Sequence, residues 1–169
     1  MASILHLKEV PAVGGDTLFA NMYAAYDALS RSMRRFVSGL TAIHDGRRNY
    51  AGRQTASSRG AEYPRAEHPV VRTHPTSGRN ALFVNRMFTT HIVQLKERES
   101  AALLEMLYRH IERPEFQCRF RWERDSIAFW DNRCVQHQAL WDYFPHRRYG
   151  HRVTVMGDRP FFRPDTVGR

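Results

Sequence analysis

Apolar positions arrive along this chain in two rhythms, and together they outline its elements. Residues 4–10 are short and apolar-rich, which predicts a strand. Val13-Gly14-Gly15-Asp16 then predicts a turn, because paired glycines permit backbone angles that other residues avoid. Leu18, Met22, Ala25 and Leu29 fall at helical spacing, so residues 18–29 read as a helix and residues 30–40 as a second short one. Between residues 47 and 66 only loop signals occur, and a loop of that length is expected to act as a lid or binding loop. Strands are expected at 70–73 and 81–85, joined by a turn at Pro75-Thr76-Ser77-Gly78. The clearest helix spans 96–112, with Leu103, Leu107, His110 and Ile111 on one face and Pro114 as its stop. Strand-like runs follow at 116–122, 126–130, 134–140 and 148–156. The expected architecture is mostly β with inserted helices, a sandwich or jelly roll, in a single domain over residues 1–169.

Composition narrows the function classes. Apolar residues make up 42% of the chain and aromatics 12%, which is a globular balance. No apolar run is long enough to span a membrane, and the start lacks a secretory pattern, so a cytoplasmic protein is expected. Cys118 and Cys134 have no metal-type spacing and read as reduced thiols. The formal charge is +9. Arg47, Arg48, Arg53, Arg59 and Arg65 lie among Gly, Ser and Asn and read as a solvated loop, not as a nucleic-acid surface.

The second arginine group is different. In Arg148-Tyr149-Gly150-His151-Arg152, strand alternation puts Arg148, Gly150 and Arg152 on one face. Two guanidiniums with no side chain between them form a cationic pocket for a carboxylate, phosphate or sulfonate. The glycine is expected to leave room for a ligand. A solvated edge strand is the competing reading. On the preceding strand Val135, His137 and Ala139 share a face, which turns His137 inward as a core residue or a ligand. Thr17 either caps the helix that follows or donates a hydroxyl to an oxygen-rich ligand. His44, His68, His74 and His91 are scattered, and His110 reads as a core or interface residue. Phosphate-loop, serine-hydrolase and paired-cysteine zinc patterns do not occur.

Several segments, in this order, resemble the taurine dioxygenase family of Fe(II)- and 2-oxoglutarate-dependent dioxygenases. They are Val13-Gly14-Gly15-Asp16-Thr17-Leu18-Phe19, His68-Pro69-Val70-Val71-Arg72-Thr73-His74-Pro75, Ala81-Leu82-Phe83-Val84-Asn85, Trp130-Asp131-Asn132-Arg133, and His137 through Pro160. The resemblance implies a double-stranded β-helix. It implies a reaction that couples decarboxylation of 2-oxoglutarate to succinate with hydroxylation of a small anionic substrate, taurine or another sulfonate, which then releases sulfite. Residue by residue, His137 matches the distal iron histidine, and Arg148 and Thr17 match the residues on the far carboxylate of 2-oxoglutarate. Arg152 matches the substrate's sulfonate clamp, while Phe88 and Tyr50 match aromatics lining the substrate pocket. The family's iron site also needs a His-x-Asp or His-x-Glu pair ahead of the Gly-Gly-Asp-Thr segment, and no such pair stands there. The expectation is therefore the C-terminal portion of such a fold, inactive alone, with unpaired sheet edges that favour self-association. A non-catalytic anion-binding protein derived from that fold is the alternative.

Overall fold

A computed structural model describes residues 1–47 and 62–164. In chain order the elements are β1 (Ala2–Glu9), β2 (Thr17–Asn21), α1 (Met22–Asp27), α2 (Arg31–Ser38), β3 (Thr41–Asp45), β4 (Arg65–Pro69), β5 (Val71–Thr73), β6 (Asn80–Leu82), β7 (Thr89–Ile92), α3 (Glu97–Ile111), β8 (Gln117–Phe120), β9 (Ile127–Asp131), β10 (Val135–Ala139) and β11 (Tyr149–Thr154).

Two three-stranded antiparallel sheets form the sandwich, in the orders β11-β1-β9 and β10-β2-β8. On β1 the alternation is explicit: Ser3 and Leu7 are buried while Ile4 and Lys8 face solvent. On β9 the inward positions are Ala128 and Trp130. Leu7, Trp122, Ala128 and Trp130 make a small core between the sheets, with Phe19, Phe120 and Val135 packed on it. The larger core lies on the other side of β2, where Ala20 joins α1, α2, α3 and strands β3 and β5–β7. Met22, Val37, Leu82, Ile92 and Leu107 are fully buried there.

Strand β2 therefore has apolar neighbours on both faces, and this explains the one element the sequence pattern misassigns. Residues 18–21 are strand, and the helix begins at Met22, because a strand covered on both sides shows no two-residue alternation. Asn21 caps α1 by accepting from the Tyr23 and Ala24 amides at 3.0 and 3.2 Å, so the capping role weighed for Thr17 is not the one it has. Strands β3, β4 and β7 form a further sheet that the pattern does not announce. Strand β4 is polar and largely exposed, and its existence depends on pairing with β3, as is usual for short strands. It takes the last two residues of the expected 46–66 loop, while residues 48–61 lie outside the described part. Both cysteines are free thiols.

The outer face of the β11-β1-β9 sheet carries Ile4, Ile127, Phe129 and Val153 in solvent. Val153 and Phe129 both pair with Ile4, so these three form one cross-strand row. No helix among the described residues is long and apolar enough to cross a membrane.

Candidate functional site

The inner face between the two sheets brings four of the expected residues into one arrangement, with Arg148 and Thr17 at one end and Arg152 and His137 at the other. An aromatic row joins the ends. Trp122 meets Phe120 edge-on at 4.8 Å, Phe120 meets Phe19 at 6.4 Å, and Phe19 meets Trp130 at 5.3 Å. The His137 ring completes the row, 4.8 Å from Trp130 and 6.2 Å from Phe19.

At the first end, Gly14 and Gly15 both take positive φ, at 80° and 75°, and fold the chain sharply into β2. The Gly15 amide donates to Asp142 Oδ1 at 2.8 Å, and its carbonyl accepts from Arg148 Nε at 2.9 Å. The Arg148 guanidinium lies over the Trp122 ring at 5.4 Å. Its Nη2 is buried and has no hydrogen-bond partner among the described residues. Burial pushes the Arg148 pKa down, with Tyr143 and Asp16 acting in the opposite direction. Asp16 itself is held by Arg119 at 2.6 Å. Thr17 is buried beside this cation, and its Oγ1 accepts from the Trp122 indole at 3.0 Å. A buried guanidinium edge and a buried hydroxyl thus meet the same indole ring, and both are groups that donate to a carboxylate.

At the second end, Arg152 lies over the Trp130 ring at 5.8 Å and donates to Ser3 Oγ at 3.2 Å. Ser3 is fully buried and also accepts from Asn132, which in turn accepts from the Trp130 indole at 2.9 Å. Arg152 is therefore paired with one tryptophan and one buried hydroxyl, whereas Arg148 shares its tryptophan, Trp122, with the buried Thr17 hydroxyl. Arg152 is exposed, so only Arg148 bears the burial expected of both. His137 shares its face with Val135 as expected, yet it is exposed. Its packed side lowers its pKa through burial, and the Arg152 charge lowers it further. Both act toward the neutral ring, the form that offers a lone pair to a metal.

Gly150 corrects the sequence reading. A Cβ there would sit on the His6 carbonyl oxygen and 2.5 Å from Leu7 Cδ2. The glycine makes room for β1, its own sheet neighbour, and not for a ligand. Phe88 lies in the turn before β7, where its carbonyl accepts from the Asp45 amide at 2.8 Å. Tyr50 falls outside the described residues.

Other histidine groups are accounted for without a metal. His74, Asp131 and Cys134 bring their ligand atoms within 4.8 Å of one another. However, the Thr76 and Ser77 amides both donate to His74 Nδ1, so Nε2 carries the proton and donates to Asp131 at 3.1 Å. Asp131 is further engaged by Arg133, and that site is a hydrogen-bonded cluster. A His-x-Glu triplet that sequence reading passes over, His110-Ile111-Glu112, closes α3. His110 Nε2 bonds the Ala25 carbonyl at 2.7 Å and Glu112 holds Arg86, so the two side chains serve different partners.

His44 stacks on Phe83 at 5.6 Å and meets His68 at 5.1 Å. Burial, reinforced by His68, pushes its pKa from 6.5 down to about 4. The unfolded chain would take up this proton near 6.5 and the folded one would not. Stability is therefore expected to be level above 6.5, to fall between 6.5 and about 4, and to level off below. Urea midpoints at pH 7 and pH 4.5 should differ less in His44→Phe than in the wild type. An equal difference would show that His44 does not carry the effect.

With the geometry described, the chain's relatives can be compared. Residues 1–154 match the family described as "Taurine catabolism dioxygenase TauD, TfdA family". The chain belongs to this family. A taurine dioxygenase from Burkholderia xenovorans is 42% identical with a TM-score of 0.83, over 95% of this chain and 54% of that one. The alpha-ketoglutarate-dependent sulfonate dioxygenase of Saccharomyces cerevisiae is 40% identical over 90% of this chain and 38% of its own length. The alpha-ketoglutarate-dependent sulfate ester dioxygenase of Pseudomonas putida is 38% identical over 94% of this chain and 56% of its own. The chain thus spans between about two-fifths and three-fifths of these relatives' lengths. A further solved structure, AAD-2 in complex with Mn(II) and N-oxalylglycine, aligns at 28% identity with a TM-score of 0.83. The TauD/TfdA match agrees with the jelly-roll arrangement, and the yeast and Pseudomonas relatives are both named as alpha-ketoglutarate-dependent.

Proposed function

We propose that this chain forms the 2-oxoglutarate and substrate-anion half of an Fe(II)- and 2-oxoglutarate-dependent dioxygenase acting on a small sulfonate or sulfate ester, with taurine the first candidate. The observation that carries this reading is the buried, unpartnered Nη2 of Arg148 beside the Thr17 hydroxyl. Such a cation wants an anion, and a dicarboxylic 2-oxo acid supplies one at the far end from its reactive carbon. Arg152 and His137, at the other end of the aromatic row, would then face the substrate's anionic group and the metal respectively.

Fit to the two groups differs. The Arg148–Thr17 end fits the carboxylate of 2-oxoglutarate. Iron(II) in such sites takes two histidines and a carboxylate. Among the described residues no close group of three metal-binding side chains includes His137, and the one such cluster lies elsewhere and is already hydrogen-bonded. The described residues therefore do not hold iron by themselves. Bound iron would activate oxygen. The residues present would orient the 2-oxo acid and the substrate head group, which is positioning catalysis.

The chain on its own is accordingly expected to bind 2-oxoglutarate and to make no succinate when loaded anaerobically with Fe(II) and given taurine and oxygen. Absence of 2-oxoglutarate binding by calorimetry overturns the reading. Succinate formation would show that the metal site is complete and overturn the expectation of inactivity. The lack of a three-ligand group around His137 among the described residues also favours a second reading, a non-catalytic anion-binding protein. Tight binding of taurine or a sulfate ester that is indifferent to 2-oxoglutarate would support it.

A further inference from the structure

We infer that Trp122 is a positioning residue for 2-oxoglutarate, setting the donor direction of Thr17 with its edge and the place of Arg148 with its face. The inference rests on the reading of Thr17 and Arg148 as the carboxylate site.

An indole N–H can only donate. At 3.0 Å it donates to Thr17 Oγ1, and both side chains are almost completely buried. A hydroxyl has one proton and two lone pairs, so this bond occupies a lone pair and leaves the proton available. Among the described residues that proton has no acceptor. A carboxylate has no donor to offer, so Thr17 is useful to it only in this orientation. Accepting one hydrogen bond also polarises the hydroxyl and strengthens the bond it donates.

The face of the same ring carries the Arg148 guanidinium at 5.4 Å. With Nε tied to the Gly15 carbonyl, the cation is held on two sides and Nη2 is left as a buried donor without a partner among the described residues. The ring is itself fixed edge-on by Phe120 at 4.8 Å. One side chain thereby orders both ligand-facing donors, and the two roles separate chemically. Phenylalanine at this position keeps a face for Arg148 and loses the N–H.

The test is a calorimetric cycle with 2-oxoglutarate on the full chain, using wild type, Trp122→Phe, Thr17→Val and the double variant. The expected result is a loss of about 5- to 10-fold for Trp122→Phe, from one lost hydrogen bond. The double variant should bind no more weakly than Thr17→Val alone. Equal losses on both backgrounds would assign Trp122 a merely structural role and overturn the inference, as would unchanged affinity. A second probe covers general loosening of the fold. The preference for 2-oxoglutarate over 2-oxopentanoate, which lacks the far carboxylate, should fall by the same factor in Trp122→Phe, and an unchanged preference overturns the inference. Wild-type protein that binds 2-oxoglutarate, with a Trp122→Phe variant indistinguishable from it, would sink the inference and leave the carboxylate site standing. A wild type that does not bind would sink both.

Discussion

Replacing Arg148 with methionine is expected to weaken 2-oxoglutarate binding by roughly 100-fold while moving the melting temperature by only a few degrees. The two effects separate because the side chain has two different jobs. Its Nε bond to the Gly15 carbonyl contributes to the fold, and its buried Nη2 costs desolvation without an internal partner. Removing both at once roughly offsets them, and methionine still covers the Trp122 ring. The ligand has no such compensation, because its carboxylate would enter a buried pocket with no cation. Lysine should fall between the two, since an ammonium restores charge but not the planar fork. Calorimetric titration alongside thermal melting checks the pair of outcomes. An Arg148→Met protein that binds within about threefold of wild type would place the carboxylate elsewhere.

Gly150→Ala is expected to be the most damaging single substitution for stability on this face, at about 3 kcal/mol. The added methyl would sit on the His6 carbonyl and 3.0 Å from Leu7 Cα, and these backbone atoms cannot move without parting β1 from β11. For a chain of this length that cost lowers the melting temperature by roughly 6–12 °C. Binding should suffer too, because Arg148 and Arg152 flank the displaced residue. Denaturant melts measure the loss directly, and a change below about 1 kcal/mol would mean that the sheet yields where the geometry says it cannot.

The legibility of this site in the sequence followed the reach of each signal. The face shared by Arg148 and Arg152 follows from strand parity alone, as does that of His137, because a two-residue period is local. Gly150 stood out for its position, but its purpose did not, since the neighbour that requires it is about 140 residues away in β1. Thr17 was placed at a helix start because β2, apolar on both faces, imitates helical spacing with its neighbours. Trp122 and Ser3 carried no announcing motif, and Trp130 marked the resemblance without showing its place beside Arg152. The signal that could have found Trp122 is parity again, since it continues the inward positions Cys118 and Phe120 one step beyond β8. Strands β3, β4 and β7 were invisible because their pairing, not their composition, makes them strands.

The pairing of each arginine with its own tryptophan has a consequence for how this protein can be watched. Trp122 sits beside Arg148 and Trp130 beside His137, both buried, while Trp141 is 80% exposed on a loop. The chain thus carries two native fluorophores, one per end, and a solvent-facing third whose emission an aqueous quencher can remove. With Trp141 silenced, blue-shifted emission reports Trp122 and Trp130 alone, and occupancy of the two ends becomes readable in real time without a label.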